Sequence, residues 1–212
     1  MLQSGGTRDA IVRAALECAA SGNWEATSLH AVRQRAGVSN GSLFHHFPTR
    51  QALDAALVAA ALEQHQEALL AQLSPDPDPD PDPEAAVAAV VRRHLQWVQD
   101  DPEVARLLLH APPDVLRAAV TAPALESNRA FFHSVGTWLE RHGWSGRPGL
   151  FVVLALWIGP AQEYSRQWLA GPRATALLDV ADDLAEGARA ALVPLLGDTS
   201  TTTPEDLGDQ RR

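Results

Sequence analysis

Residues 27–47 read TSLHAVRQRAGVSNGSLFHHF, and this stretch contains two short helix-forming segments on either side of one glycine. Thr27 or Ser28 precedes the first segment and Ser39 precedes the second, where small hydroxyl side chains commonly cap a helix N-terminus. Gly37 lies between the segments, and glycine adopts a left-handed backbone at little steric cost. The pattern therefore predicts two short helices joined by a tight turn.

The second of these helices begins with Ser39-Asn40-Gly41-Ser42, residues too small and polar to form a hydrophobic core. Such residues leave backbone N–H groups and short hydroxyls exposed at a helix N-terminus, where they suit phosphate groups or base edges. Two helices joined in this way are typical of a helix-turn-helix unit, whose second helix enters the DNA major groove. The apolar contacts that fix the crossing angle come from Leu29, Val32, Ala36, Val38, Leu43 and Phe47.

Charge is distributed unevenly along the chain, which has a formal net charge of -9. Residues 1–53 contain five arginines against three acidic residues, so this part is weakly basic while the rest is strongly acidic. A basic head on an acidic body favours the binding of a polyanion in one orientation. The five arginines are Arg8, Arg13, Arg33, Arg35 and Arg50.

Apolar residues recur at three- and four-residue spacing almost throughout, and no segment shows sustained alternation with β-branched residues. The sequence therefore predicts an all-α chain with a three-helix domain at residues 1–53 and a second helical domain at residues 54–197. Between residues 74 and 83 every second residue is proline, which predicts a stiff polyproline II spacer. Residues 198–212 are polar and rich in threonine, and we expect them to be disordered.

About nine helices are expected, with an interruption near Pro123 and a kink at Pro160. They cover approximately residues 8–20, 28–36, 40–45, 49–73, 84–100, 102–110, 114–142, 150–170 and 173–196.

These features resemble the tetracycline-repressor (TetR) family of bacterial transcription regulators. The resemblance covers residues 8–53 and rests on Ala14-Ala15, on Ala-Thr-Ser before the second helix, on Ala-Gly-Val-Ser-x-Gly-Ser-Leu across the turn, and on an aromatic–x–His–Phe ending. It implies an N-terminal domain that binds double-stranded DNA. It also implies a helical second domain that binds a small effector and forms a homodimer through the last two long helices.

The resemblance assigns DNA-contacting roles to residues around the turn. Phosphate contacts fall to Ser28, His46 and Arg50. Base edges are read from the positions of His30, Asn40, Gly41, Ser42 and His45, with Ser39 in the same surface. Phe44 departs from the family by replacing a tyrosine whose hydroxyl contacts phosphate. Arg33 occupies a position that usually holds a small residue: pointing outward it would replace the lost contact, whereas pointing inward it would mean that the predicted helix register is wrong.

A second predicted site is an apolar pocket with polar tips, lined from the predicted fifth, seventh and eighth helices. Ordinary core or dimer packing of the same aromatic residues is the alternative interpretation. The candidate pocket residues are His94, Trp97, Phe131, Trp138, Trp157, Gln162 and Tyr164. We expect no cofactor and no metal site, because His45 and His46 are adjacent on a helix and point about 100° apart.

Three functions are compatible with these observations. The first is a homodimeric transcription regulator, a repressor released from a palindromic operator by a small, mostly apolar ligand. The second is an enzyme, but the chain has no Gly-x-Ser-x-Gly elbow, no phosphate-binding loop and no His-Glu-x-x-His, so we expect no catalytic residues. The third is an interaction module that kept the helix-turn-helix but lost DNA binding, which Phe44 and the weakly basic head leave open.

The same composition predicts a cytoplasmic protein. The longest strongly apolar run, residues 150–158, is far shorter than the ~20 residues that a membrane span needs. Charged residues interrupt residues 1–21, so no unbroken signal-peptide core is present. Cys18 is the single cysteine, which excludes a disulfide framework.

Overall fold

The structure, a computed structural model, describes residues 6–22, 24–73, 82–172 and 175–197. All regular secondary structure in these ranges is helical, which confirms the predicted all-α class. None of the helices described is both long and apolar enough to cross a membrane. The predicted spacer lies outside the described residues except at its last two positions, and residues 198–212 lie wholly outside them.

Eleven α-helices occur in the described ranges. They are α1 (Thr7–Ala20), α2 (Leu29–Ala36), α3 (Asn40–His46), α4 (Arg50–Leu70), α5 (Pro83–Asp100), α6 (Pro102–Leu109), α7 (Pro113–Ala119), α8 (Ala122–Arg141), α9 (Leu150–Trp157), α10 (Gly159–Ala170) and α11 (Ala181–Leu192). Short 3₁₀ turns cover Trp24–Ala26, Leu177–Val180 and Val193–Leu195.

Two predicted helices are each divided, which accounts for eleven helices where about nine were expected. The predicted seventh helix becomes α7 and α8, since Val120 has a non-helical backbone (φ -77°, ψ 72°) and α8 starts with a proline in its first turn. The predicted eighth helix becomes α9 and α10, which separate at Ile158. Pro160 stands in the first turn of α10, where its missing N–H removes a bond to the preceding helix.

One hydrophobic core runs from the N-terminal helices into the rest of the molecule. Its fully buried members include Ile11 on α1, Leu53 on α4, Leu95 on α5 and Leu192 on α11. Burying one such side chain contributes about 1.5–3 kcal/mol relative to leaving it exposed. The helix α4 is central because it packs against α1, α5, α6, α7 and α8. Its 21 residues span about 31 Å and cross the expected domain boundary at residue 53 without a break.

Candidate DNA-binding surface and ligand cavity

The predicted caps and turn around α2 and α3 are present in the structure. Ser28 Oγ accepts a hydrogen bond from the N–H of Ala31 (3.2 Å), and Ser39 Oγ accepts one from the N–H of Ser42 (3.1 Å). Gly37 ends α2 in the left-handed region, with φ 66° and ψ 27°. The local sequence therefore determines both helix starts and the turn between them.

The exposed face of α3 carries most of the predicted base-reading residues. Asn40, Gly41, Phe44 and His45 are exposed, while Ser42 and His46 are half-buried. A β-carbon built on Gly41 would meet only Ser39 Oγ, at 3.9 Å, so nothing inside the protein requires glycine at this position. Beneath this face, the buried side chains of Leu43 and Phe47 hold the helix on the core. The surface is thus open to an approaching partner.

Phe44 is the exposed aromatic of this surface, with 45% of its side chain accessible. A phenyl ring in the major groove contacts the thymine methyl group rather than phosphate. Where the resemblance leads us to expect a tyrosine hydroxyl, this position therefore presents an exposed apolar ring.

Arg33 lies across the turn between α2 and α3. Its Nη1 donates to the carbonyl of Val38 (3.4 Å), and its Nη2 lies 3.5 Å from Nδ1 of His30. The guanidinium is therefore neither free on the surface nor buried in the core, and the predicted helix register is retained. This arrangement braces the turn and also holds the exposed His30 ring.

Arg50, which was predicted to contact phosphate, is bonded to several groups within the protein. Its Nε donates to Asp54 Oδ1 (2.8 Å), its Nη1 to the carbonyl of Thr27 (2.6 Å) and its Nη2 to the carbonyl of Trp24 (2.8 Å). The guanidinium also lies over the Trp24 ring at 4.2 Å, and Trp24 Nε1 donates to the same Asp54 oxygen (2.8 Å). The guanidinium is therefore held by the protein, while the side chain stays partly exposed.

We call Trp24, Arg50 and Asp54 the Arg50 clamp. It ties the segment before α2 to the first turn of α4 and so orients the helix-turn-helix on that helix. Arg50 and Asp54 are four residues apart on a helix, a spacing from which their ion pair could have been predicted. No comparable spacing in the sequence predicts that Trp24 belongs to the clamp.

A cavity of about 460 Å³ lies in the second part of the molecule, between α4, α8, α9 and α10. Its walls are mostly apolar and include Leu62, Leu69, Phe132, Val135 and Leu154. Four polar side chains also line it, namely His65, Gln66, Asn128 and Gln162. Such a mixture of apolar wall and few polar groups suits a small amphipathic molecule.

Three of the seven predicted pocket residues line this cavity, and they are Phe131, Trp157 and Gln162. His94 and Trp97 lie behind the wall, because both are buried and contact His65 instead. Trp138 is buried against Trp157, with ring centroids 5.6 Å apart. Tyr164 is among the exposed residues of α10. His94, Trp97 and Trp138 therefore fit the alternative interpretation of core packing, whereas Tyr164 lies at the surface.

The polar end of the cavity was not anticipated. His65 and Gln66 are buried on α4, and Gln66 Nε2 donates to Asn128 Oδ1 on α8 at 2.6 Å. Two adjacent polar residues on the apolar side of a predicted helix were the available signal for the α4 pair. Asn128 is 62 residues further along the chain, and only the packing of α8 on α4 brings it there.

Two buried histidines join α4 to α5 and α10. His65 Nε2 lies 2.8 Å from His94 Nδ1, and His94 Nε2 lies 3.2 Å from Ser165 Oγ. Burial lowers the pKa of His65 to about 4, and the positive charge of Arg93 contributes in the same direction. Burial also lowers the pKa of His94 to about 3, with a further contribution from His65, while a hydrogen bond to the backbone of Ala161 opposes it. Both rings are therefore neutral at pH 7.

Within the described residues, no group of three or more His, Cys, Asp and Glu side chains is placed to hold a metal ion. The rings of His45 and His46 meet edge to face, with centroids 5.1 Å apart and planes at 71°. The two rings therefore pack against each other edge to face.

Comparison with known proteins identifies the N-terminal part. Residues 11–57 match the family model described as bacterial regulatory proteins, tetR family. This part of the chain is similar to the N-terminal domain of the tetR family. No curated protein sequence matches this chain significantly.

Solved structures share the fold of this chain over most of its length. The fatty acid degradation regulator FadR from Bacillus halodurans is 14% identical with a TM-score of 0.64, and the match covers 95% of this chain and 100% of that one. FadR from Bacillus subtilis, solved in complex with stearoyl-CoA, is 15% identical with a TM-score of 0.62, covering 84% and 95%. A tetR-family regulator from Streptomyces coelicolor is 19% identical with a TM-score of 0.63, covering 89% and 80%.

Proposed function

We propose that this TetR-family regulator is a repressor that leaves a palindromic operator when a small, mostly apolar ligand enters the cavity. The observation that carries the proposal is the course of α4. This helix begins in the Arg50 clamp beside the helix-turn-helix and lines the cavity with Leu62, His65 and Leu69 near its other end. A ligand that binds one position of α4 better than another shifts the DNA-binding heads by that difference in affinity.

The DNA surface in this proposal is the exposed side of α3 with the start of α2. His30, Asn40, Gly41, Ser42 and His45 read base edges, and Phe44 contacts a thymine methyl group. Phosphate contacts fall to Ser28 and His46. Arg33, Ser39 and Arg50 act indirectly, because they hold the turn, the start of α3 and the start of α4 in place.

The repressor acts as a homodimer, with α9 supplying the apolar contact surface. Phe151, Val152 and Leu156 on α9 are exposed, and Phe151 keeps 74% of its side chain accessible. The alanines of α11 are less suited, because Ala181, Ala185 and Ala188 are buried and α11 packs on α5 and α9 of its own chain. Two long C-terminal helices were predicted to form the dimer. The one that corresponds to α9 and α10 therefore supplies the contact. It places two recognition helices about 34–36 Å apart, or a multiple of that distance.

A long-chain acyl compound is the first effector class to test. The mostly apolar cavity walls support it, and FadR from Bacillus subtilis was solved with stearoyl-CoA. The regulator works without catalysis in the cytoplasm, where its DNA target lies.

The test is a mobility-shift titration on DNA from around the protein's own coding region, at two salt concentrations. We expect a discrete shift that weakens as salt rises, since phosphate contacts release counterions. Added stearoyl-CoA should release the DNA.

The matched variants are Asn40→Ala on the exposed face of α3 and Asn128→Ala at the cavity. The first should alter sequence preference, and the second should alter only the ligand response. Failure to bind any DNA at low salt would contradict the proposal.

A further inference from the structure

The polar side chains that line the cavity are all uncharged at pH 7. Among the described residues around it there is no arginine, aspartate or glutamate, and the chain contains no lysine. Three of the four polar residues are carboxamides, namely Gln66, Asn128 and Gln162. The fourth, His65, is neutral because its burial lowers its pKa to about 4. A ligand in this cavity therefore meets hydrogen-bonding groups but no charged side chain.

Gln162 has a carboxamide that is not bonded to the protein. It lies on α10 and is half-buried, and its side chain makes no hydrogen bond with any residue that the structure describes. A carboxamide has a carbonyl oxygen that accepts and an NH2 group that donates, so both are available whichever way the amide is turned. Gln162 can therefore serve a ligand as donor and as acceptor.

The pair formed by Gln66 and Asn128 adds one group of each kind. Its single hydrogen bond runs from Gln66 Nε2 to Asn128 Oδ1 at 2.6 Å, and it leaves the Gln66 carbonyl and the Asn128 NH2 group without a partner among the described residues. Turning both amides over exchanges their roles and again leaves one carbonyl and one NH2 group. The presence of both donors and acceptors at the cavity therefore does not depend on how these amides are oriented.

Such a set of amides suits a ligand group that is itself both donor and acceptor. An amide on the ligand can accept from an NH2 group of the cavity and donate to a carbonyl. A carboxylate can only accept, so it would leave the carbonyls of the cavity unsatisfied. Its charge would also be buried with no cation beside it, which is costly. An ammonium group would lack an anion in the same way.

We propose that the cavity selects effectors that carry an uncharged carboxamide on an apolar chain, and that Gln162 pairs with this group. The inference rests on the proposed function of the cavity as the effector site. Among long-chain acyl compounds, it favours an amide over the free carboxylic acid, which is ionised at pH 7.

The test compares decanamide with decanoate at pH 7. Both have the same chain and end in a planar group of similar size, but only decanamide is uncharged and has N–H donors. Binding to the whole protein is followed by tryptophan fluorescence, because Trp157 lines the cavity. We expect decanamide to bind about tenfold more tightly or better, since a buried carboxylate has no counter-charge here. Equal affinities, or tighter binding of decanoate, would overturn this inference and leave the cavity as an effector site.

The variant Gln162→Met removes the amide and keeps a side chain of similar length. We expect it to bind decanamide about tenfold more weakly, as for the loss of one or two hydrogen bonds to the ligand. The matched control is Gln167→Met on the same helix, because Gln167 is exposed and bonds to Glu163 outside the cavity. This control should bind decanamide as the unaltered chain does. Unchanged affinity of Gln162→Met for decanamide would contradict the pairing and overturn the inference.

Both variants should bind operator DNA normally when no ligand is present, which serves as the measure of folding. If Gln162→Met does not fold, the two ligands on the unaltered chain still decide. Binding of neither ligand would overturn the cavity as an effector site, and this inference with it, even where operator binding is normal.

Discussion

Arg50 shows how the position of one side chain changes the expected effect of its loss. As a phosphate contact, its removal would weaken DNA binding and leave the fold intact. In the Arg50 clamp it satisfies Asp54 and the carbonyls of Trp24 and Thr27 at once. Removing it takes one hydrogen bond from each of these partners, although Asp54 keeps the bond from Trp24 Nε1 and the Trp24 carbonyl keeps the one from the Thr27 N–H. We expect a cost of about 1–3 kcal/mol.

We therefore expect Arg50→Ala to lower the free energy of unfolding by about 1–3 kcal/mol, measured by urea titration. Arg117→Ala on α7 is the control, because that side chain is exposed and should change stability by no more than about 0.5 kcal/mol. Unchanged stability of Arg50→Ala together with weaker binding to all DNA sequences would restore the phosphate role.

At Gly41, the effect of a substitution on DNA binding can be measured apart from its effect on stability. A β-carbon there meets nothing closer than Ser39 Oγ at 3.9 Å, so Gly41→Ala should raise helix stability by about 0.5–1 kcal/mol. At the proposed DNA surface the added methyl group should nevertheless weaken operator affinity by about tenfold. Gly187→Ala on α11 is the matched control, since its surroundings are equally open. If both substitutions leave operator affinity unchanged in a DNA-binding titration, the DNA does not approach α3 at this residue.

The histidine pair predicts how stability depends on pH. The folded state holds His65 and His94 at pKa values of about 4 and 3, while the unfolded chain titrates them near 6.5. Between these values the unfolded state binds more protons, so stability falls as pH falls below about 6.5. The loss from pH 7 to 5 should reach roughly 1–2 kcal/mol per histidine in urea titrations. The double variant His65→Phe, His94→Leu should lose this part of the slope; an unchanged slope would mean that these rings are not held neutral.

At the scale of elements, the turn between α2 and α3 depends on backbone geometry alone. Gly37 has φ 66°, and a β-carbon there would meet nothing within 4 Å. Gly37→Ala should therefore lower the free energy of unfolding by about 1–2 kcal/mol through strain, and Gly37→Asn by less, because asparagine tolerates this region better. Thermal or urea unfolding measures both. Equal effects of alanine and asparagine would indicate that the turn relaxes.

The helix-turn-helix could be predicted from sequence because its signals are local. Ser28, Gly37 and Ser39 act within three or four residues of the groups they bond. The polar end of the cavity could not, since Asn128 reaches Gln66 only through the packing of α8 on α4. The inward turn of Arg50 likewise depends on Trp24, 26 residues earlier. Pairing across such separations is set by tertiary contacts, which periodicity does not encode.

At the scale of the whole molecule, the exposed face of α9 is the proposed homodimer interface. Burying Phe151 in a homodimer removes a large apolar side chain from water, whereas a glutamate at that position would put a charge in the interface. We expect Phe151→Glu to run as a monomer in light scattering and to lose most operator affinity. Leu116→Glu, which alters an exposed leucine on α7, should stay dimeric. A dimeric Phe151→Glu would move the interface elsewhere.

Under the proposed function, the course of α4 also limits how this protein can be converted into a biosensor. One helix carries both the Arg50 clamp and several residues that line the cavity. Altering Leu62 or Leu69 to admit a new inducer would therefore also change how tightly the protein represses its target when no inducer is bound. Phe132 and Leu154 line the same cavity from α8 and α9. Variants altered only at Phe132 and Leu154 should change which inducer is preferred. Expression without inducer should stay close to that given by the unaltered protein.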